Sequence, residues 1–197
     1  MAMGKAEVLN ECDVHNVLNM IKDGDNPERN RLIFLFSYLV GMRVCNFYKL
    51  QFGDVYDPQG KVFDKIVLSP EKNKGKRVAE YYLNDKMKKE LLDYYKWAKS
   101  VRMRIRDDDY LLWSKKTNSF MCKESIVRIF RRIYDKCGLY KARSHSGRRT
   151  FISNLCDKGV AIQIVSKLAN HRNVNITMGY YQQSPTLLKN AVNSLKL

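Results

Sequence analysis

Residues 144–181 read SHSGRRTFISNLCDKGVAIQIVSKLANHRNVNITMGYY, and this stretch decides how the rest of the chain is understood. Two of the chain's three histidines, His145 and His171, fall inside it, together with the pair Arg148 and Arg149 and the pair Tyr180 and Tyr181. A helix beginning at His145 puts His145 and Arg148 at i and i+3, on one face of its first turn. Free amides and the positive end of the helix dipole at such a start favour an anion. Gly159 ends that helix, residues 161–169 form a second, and His171 follows at its end. Tyr180 comes nine residues later. A cationic helix start, a second imidazole and a phenol, gathered by two short helices, are suited to holding a phosphate diester beside a nucleophile.

Composition points the same way. The 197 residues hold 36 Lys plus Arg against 20 Asp plus Glu, a net charge of +16, which implies a polyanionic partner rather than only a solvated basic surface. With 45% hydrophobic residues the chain can bury a core, as one domain or a domain with a small appendage. No apolar run approaches the ~20 residues of a membrane span, so no membrane partner is expected. The opening MAMGKAEV lacks the apolar centre of a signal peptide, and residues 1–8 read as a tail, in part a cloning remnant. Cys12, Cys45, Cys122, Cys137 and Cys156 are odd in number and scattered, with neither C-x-x-C nor zinc-ligand spacing. They fit a reducing, intracellular setting as core thiols, and no metal site is expected.

Outward from the first stretch, the chain reads mainly as helices. Asn10 caps a helix over Glu11 to Ile21 with Asp13 completing a capping box, and Val14, Val17, Leu18 and Ile21 form its stripe. His15 lies off that stripe, on the surface. Asn26 and Pro27 open a buried helix, Glu28 to Val40, which Gly41 ends. Arg43, just beyond, serves either a core salt bridge or a phosphate clamp. Lys61 to Leu68 and Arg77 to Leu83 read as two strands joined by the polar turn SPEKNKG. Asn84 caps a helix from Asp85 to about Lys99, with Met87, Leu91, Leu92, Tyr95 and Ala98 inward and Trp97 toward the other side. SVRMRIRDDD is a charged connector, solvated or touching phosphates, and YLLW is a short extended piece. Cys122 to Cys137 is a helix closed by Gly138, with Ile126, Ile129, Phe130 and Ile133 on one face. Arg128, Arg131 and Arg132 on the other face are placed to track a DNA backbone. Residues 182–197 hold a last amphipathic helix with Leu187, Leu188, Ala191, Val192 and Leu195 on one side, too short to stand undocked.

The segments HSGRRTFISNL and KLANHRNVNITMGYY resemble the C-terminal motif of the tyrosine recombinases, the phage integrase family, which reads H-x-x-R, then L-G-H, then T and a nucleophilic Y. The matching positions are His145, Arg148, His171, Thr177 and Tyr180, and GMRVCNFYKLQF resembles the family segment carrying the first catalytic arginine, here Arg43. Counting back from Arg77, which matches the last residue of G-K-G-x-K-x-R, places the family's catalytic lysine at Lys72, with Lys74 as the alternative. The sequence departs from the pattern at Asn46, where an acidic residue is usual, and at Asn170, where a glycine is usual. The resemblance spans about residues 7–190.

It implies a catalytic domain over residues 9–183, mainly α with a small antiparallel β-sheet (α+β) at one edge, and a tail helix over 184–197 that packs on a neighbouring protomer, docking on its own core being the alternative. It also implies double-stranded DNA as partner and self-association into a dimer or tetramer, in a protein encoded by a virus, phage or other mobile element. The implied catalytic residues are Arg43, Lys72, His145, Arg148, His171 and Tyr180. Lys74, Lys76, Arg128, Arg131, Arg132 and Arg149 are expected to bind DNA. Cleavage and rejoining run through a 3′-phosphotyrosyl linkage and need neither cofactor, metal nor ATP. A type IB topoisomerase activity and a catalytically weakened DNA-binding protein are the alternatives.

Overall fold

The computed structural model describes residues 6–73, 76–114, 119–181, 188–189 and 192–193. Helix α1 spans Glu11–Lys22, and its capping box is formed as read, with Asn10 Oδ1 accepting from the Asp13 amide and Asp13 Oδ2 from the Asn10 amide. Helix α2, Pro27–Tyr38, starts after an Asn26 that is left-handed (φ 52°) and makes no side-chain cap, so proline alone supplies the start signal. Leu32 to Ser37 are buried without a break, which is why this segment carries no polar face. It ends earlier than expected, and a four-residue helix α3, Val44–Phe47, follows.

Strands β1 (Lys65–Leu68) and β2 (Ala79–Tyr82) pair antiparallel, with Ile66 and Leu68 turned inward. They are shorter than the sequence implied because Val62 bridges to Tyr56, and the Phe63 amide bonds the Val55 carbonyl, before the ladder begins. Helix α4, Asp85–Val101, is capped by Asn84 as expected, but its inward row is Met87, Leu91, Tyr94 and Ala98. Leu92 is 40% exposed. Trp97, read as facing away, stacks on Trp113 at 5.3 Å, and the Arg102 guanidinium lies 4.3 Å from the Trp113 ring centre. The expected row had mixed two adjacent helical rows.

Where one sheet was expected there are two pairs: β3, Trp113–Ser114, meets β4, Ser119–Phe120, in a second antiparallel ribbon. Helix α5, Lys123–Lys136, buries Ile126, Phe130, Ile133 and Tyr134. Helices α6 (Ser146–Asp157), α7 (Ile162–Leu168) and α8 (Val174–Tyr181) complete the order, with left-handed Gly138 and Gly159 closing α5 and α6.

The large core gathers α1 to α5 and both ribbons. A second, small cluster of Ile152, Cys156, Val165 and Ala169 joins α6 to α7, and Tyr180 and Tyr181 pack against it. This cluster is what fixes α8 beside the first turn of α6. All five cysteines are free. Among the described residues, no helix is long and apolar enough to cross a membrane. The expected tail helix lies outside the described residues apart from 188–189 and 192–193, which are helical with Leu188 and Val192 exposed.

Candidate active site

Helix α6 begins against α2. Gly147 lies so close to Ser37 that an added Cβ would fall 2.9 Å from Ser37 Oγ, and this hydroxyl accepts the Arg148 amide at 3.0 Å. One of the helix-start amides expected to meet an anion is therefore satisfied by α2, and His145 occupies the cap position without a side-chain capping bond. The anion-binding character of the place comes from side chains instead.

Arg148 is 5% exposed. Its guanidinium donates Nη1 to the Gly41 carbonyl and Nη2 to the Ala169 carbonyl at 2.5 Å. Ala169 is the C-cap of α7, so a helix end with partial negative charge helps to hold the cation. Gly41 reaches its place only because it is glycine: its φ is 68°, and a Cβ would stand 2.4 Å from the Phe151 ring. Burial first, then the nearby Arg43, push the Arg148 pKa down to about 10, leaving it charged at neutral pH. Arg43 itself is half-buried at the N-cap of α3, and among the described residues neither arginine pairs with a carboxylate. Of the two readings of Arg43, the core salt bridge is not found. Two buried or half-buried cations without an acid form a place that is electrostatically incomplete until an anion arrives.

A pocket of about 410 Å³ is lined by Arg43, His145, Arg148, Arg149, His171, Ile176, Gly179 and Tyr180, with Ala6 at its edge. His171 Nδ1 lies 2.8 Å from Oγ1 of the buried Thr177. Burial and then the charges of Arg148 and Arg43 lower the His171 pKa to about 4, so the ring is neutral at pH 7. The two tyrosines have different surroundings. Tyr180 lines the pocket, with the Arg149 guanidinium 5.7 Å from its ring centre, whereas the Tyr181 hydroxyl is buried beside Cys156. Burial and the Cys156 thiol raise the Tyr181 pKa, disfavouring its phenolate. Arg149, expected to bind DNA, faces this pocket and donates to the Ala6 carbonyl at 2.8 Å.

Lys72 is not brought into the pocket. Its ammonium bonds Asp54 Oδ1 at 2.7 Å and Gln51 Oε1 at 2.8 Å, beside a second depression of about 720 Å³ that also takes in Lys49, Lys76 and Lys123. Lys74 lies outside the described residues, and Lys76 is exposed. On α5, Arg128, Arg131 and Arg132 are exposed as expected, although Arg131 is paired with Asp135 at 2.8 Å. The two departures from the motif have structural accounts. Asn46 is buried and donates to Tyr81 Oη at 2.5 Å and Asn73 Oδ1 at 3.2 Å, holding the hairpin base against α3. Asn170 has φ 50°, the conformation that suits glycine and that asparagine tolerates best among the others, and it donates to the Glu80 carbonyl at 2.8 Å. Sequence reading left out Arg172, which only its place directly after His171 signalled, and Ser37, which gave no signal.

The phage integrase family model matches residues 7–186. Tyrosine recombinase XerA of Pyrococcus furiosus is 26% identical over 191 residues, 96% of this chain and 62% of the relative, so the chain spans about three-fifths of that protein's length. The crystal structure of XerA recombinase superposes with a TM-score of 0.76 at 21% identity, covering 98% of this chain and 67% of that one. XerH site-specific recombinase, in a post-cleavage complex with its palindromic difH substrate, gives 0.72 at 20% identity, covering 95% and 53%. With the family pattern running through nearly the whole sequence and its motif residues converging on one pocket, the chain belongs to the phage integrase family.

Proposed function

We propose that this chain catalyses site-specific recombination or integration of double-stranded DNA, cutting and rejoining strands through a 3′-phosphotyrosyl intermediate. The observation that carries the reading is the convergence of Arg43, Arg148, His145, His171 and Tyr180 on one pocket with no carboxylate lining it. The non-bridging oxygens of the scissile phosphate bind the guanidiniums of Arg43 and Arg148, which stabilise the charge of the pentavalent transition state. Tyr180 Oη attacks phosphorus in line as His145 takes its proton. The bond to the 5′ oxygen breaks, and Lys72, after exchanging Asp54 for DNA, donates the proton that turns the leaving 5′ oxygen into a hydroxyl. Neutral His171, oriented by Thr177, hydrogen-bonds the phosphate. The diester energy stays in the phosphotyrosine, so a 5′-hydroxyl, from the same or a partner duplex, reverses the step without ATP.

DNA is the partner that the +16 charge suits, and the similarly folded Tn1549 transposon integrase was captured with a circular intermediate DNA. Residues 9–183 form the catalytic unit, and the tail from residue 184 links protomers into a dimer or tetramer on DNA. Incubation with nicked duplexes that trap the covalent intermediate tests the reading, the site being supplied by sequencing covalently captured genomic DNA. Wild type and Tyr181→Phe form the adduct, and Tyr180→Phe forms none. Folded wild type that forms no adduct would leave only a DNA-binding role.

A further inference from the structure

On the hairpin side of Arg43 lies a depression of about 340 Å³ that the chemistry above does not use. Three guanidiniums line it, those of Arg43, Arg77 and Arg172, with Asn46, Asn73 and Asn170 and no carboxylate. It shares Arg43 and Ile176 with the pocket that holds Tyr180, so the two are contiguous. Arg77 comes from the foot of the hairpin before β2, and Arg172 from the turn between α7 and α8. These distant segments are tied together: Arg77 Nη2 donates to the Asn170 carbonyl at 3.3 Å, Asn73 Nδ2 to the Arg77 carbonyl at 2.7 Å, and Asn170 Nδ2 to the Glu80 carbonyl at 2.8 Å. The carboxamides therefore build and hold the floor while the guanidiniums supply the charge. Converging cations in a fixed frame cost energy in the free protein, and a bound anion offsets that cost.

In-line displacement sets the leaving oxygen opposite the attacking phenol. Tyr180 lines the 410 Å³ pocket and not this 340 Å³ depression, and Arg43 lines both, so the depression lies toward the departing 5′ oxygen. We propose that Arg77 and Arg172 bind the next backbone phosphate of the leaving strand, one nucleotide 3′ of the scissile phosphodiester. This rests on the recombinase reading and deepens it. The contact keeps the freed 5′-hydroxyl end beside the phosphotyrosine, so that rejoining competes with loss of the strand.

Nicked duplexes carrying an uncharged methylphosphonate at that one position test the proposal, read as single-turnover adduct formation by wild type, Arg172→Gln and Arg77→Gln. Both side chains are exposed, so the variants should fold, and their melting curves check this. Losing one charge-assisted contact should slow or weaken wild type about tenfold or more. The same modification should cost either variant clearly less than it costs wild type, since one of the two guanidiniums is already gone. A methylphosphonate that costs the variants as much as wild type, or costs wild type nothing, overturns the proposal while leaving the recombinase reading intact. Absence of any adduct on unmodified DNA instead removes that reading, and this proposal with it.

Discussion

At the scale of single residues, the cation at the centre of the site is held by carbonyls rather than by acids. Arg148 spans the Gly41 and Ala169 carbonyls with one planar group and still presents N–H to the pocket. A lysine keeps the charge but not the fork. Arg148→Lys should therefore slow adduct formation about 10²–10³-fold, the usual cost of losing one preorganised transition-state donor. A single-turnover rate within about threefold of wild type would contradict this. His171 gives a pH prediction with a definite sign. Its folded pKa, about 4, lies below the ordinary 6.5, so the folded state takes up a proton less readily than the unfolded chain. The stability linked to it is complete above pH 6.5 and lost as pH falls toward 4. Thermal melts of wild type should drop across that window, and His171→Gln should flatten that part of the curve. The cations and phenol that line this pocket could be picked out from the motif because the pattern fixes their types and spacing. Lys72 shows what could not: its partner Asp54 is eighteen positions away, and no local pattern announces the pair.

At the scale of elements, turns and caps do most of the positioning. The Asn10 capping box, the Asn84 cap and the left-handed Gly138 and Gly159 were legible because each is a local device with a narrow choice of residues. The buried row of α4 was not, since Tyr94 and Tyr95 are equally apolar and only the Trp97–Trp113 stack selects between rows. Gly41 is a sharper case. It reads as a helix terminator, yet its carbonyl also holds Arg148 and its missing Cβ makes room for Phe151. Gly41→Ala meets both the left-handed penalty, about 1–2 kcal/mol, and a collision with the Phe151 ring. A fall in Tm of several degrees is expected, with a fall in adduct yield at temperatures where the variant remains folded. A variant that melts with wild type would show that the α2–α3 turn can relax without moving its carbonyl.

For the whole molecule, the helical class and the basic charge were plain in the composition, because amphipathic periods and net charge are sums over many residues. The division into a large core and a small α6–α7–α8 cluster was not, since it depends on which apolar faces meet. Self-association belongs to this scale. Leu188 and Val192 are 69% and 67% exposed, and under the proposed assembly a second protomer on DNA covers them. A chain ending at Ser184 should bind DNA with similar affinity at low occupancy but fail to form dimers or tetramers on it in sedimentation experiments. Unchanged assembly would exclude the tail as the link.

The contact between Trp97 and Trp113 has a practical corollary. Both of the protein's indoles reside in that one stack, under Arg102, and neither lines the pockets around Arg43. Intrinsic emission excited at the red edge should accordingly follow global melting and stay nearly silent when those pockets are occupied, so titrations with nucleic acid call for an extrinsic dye.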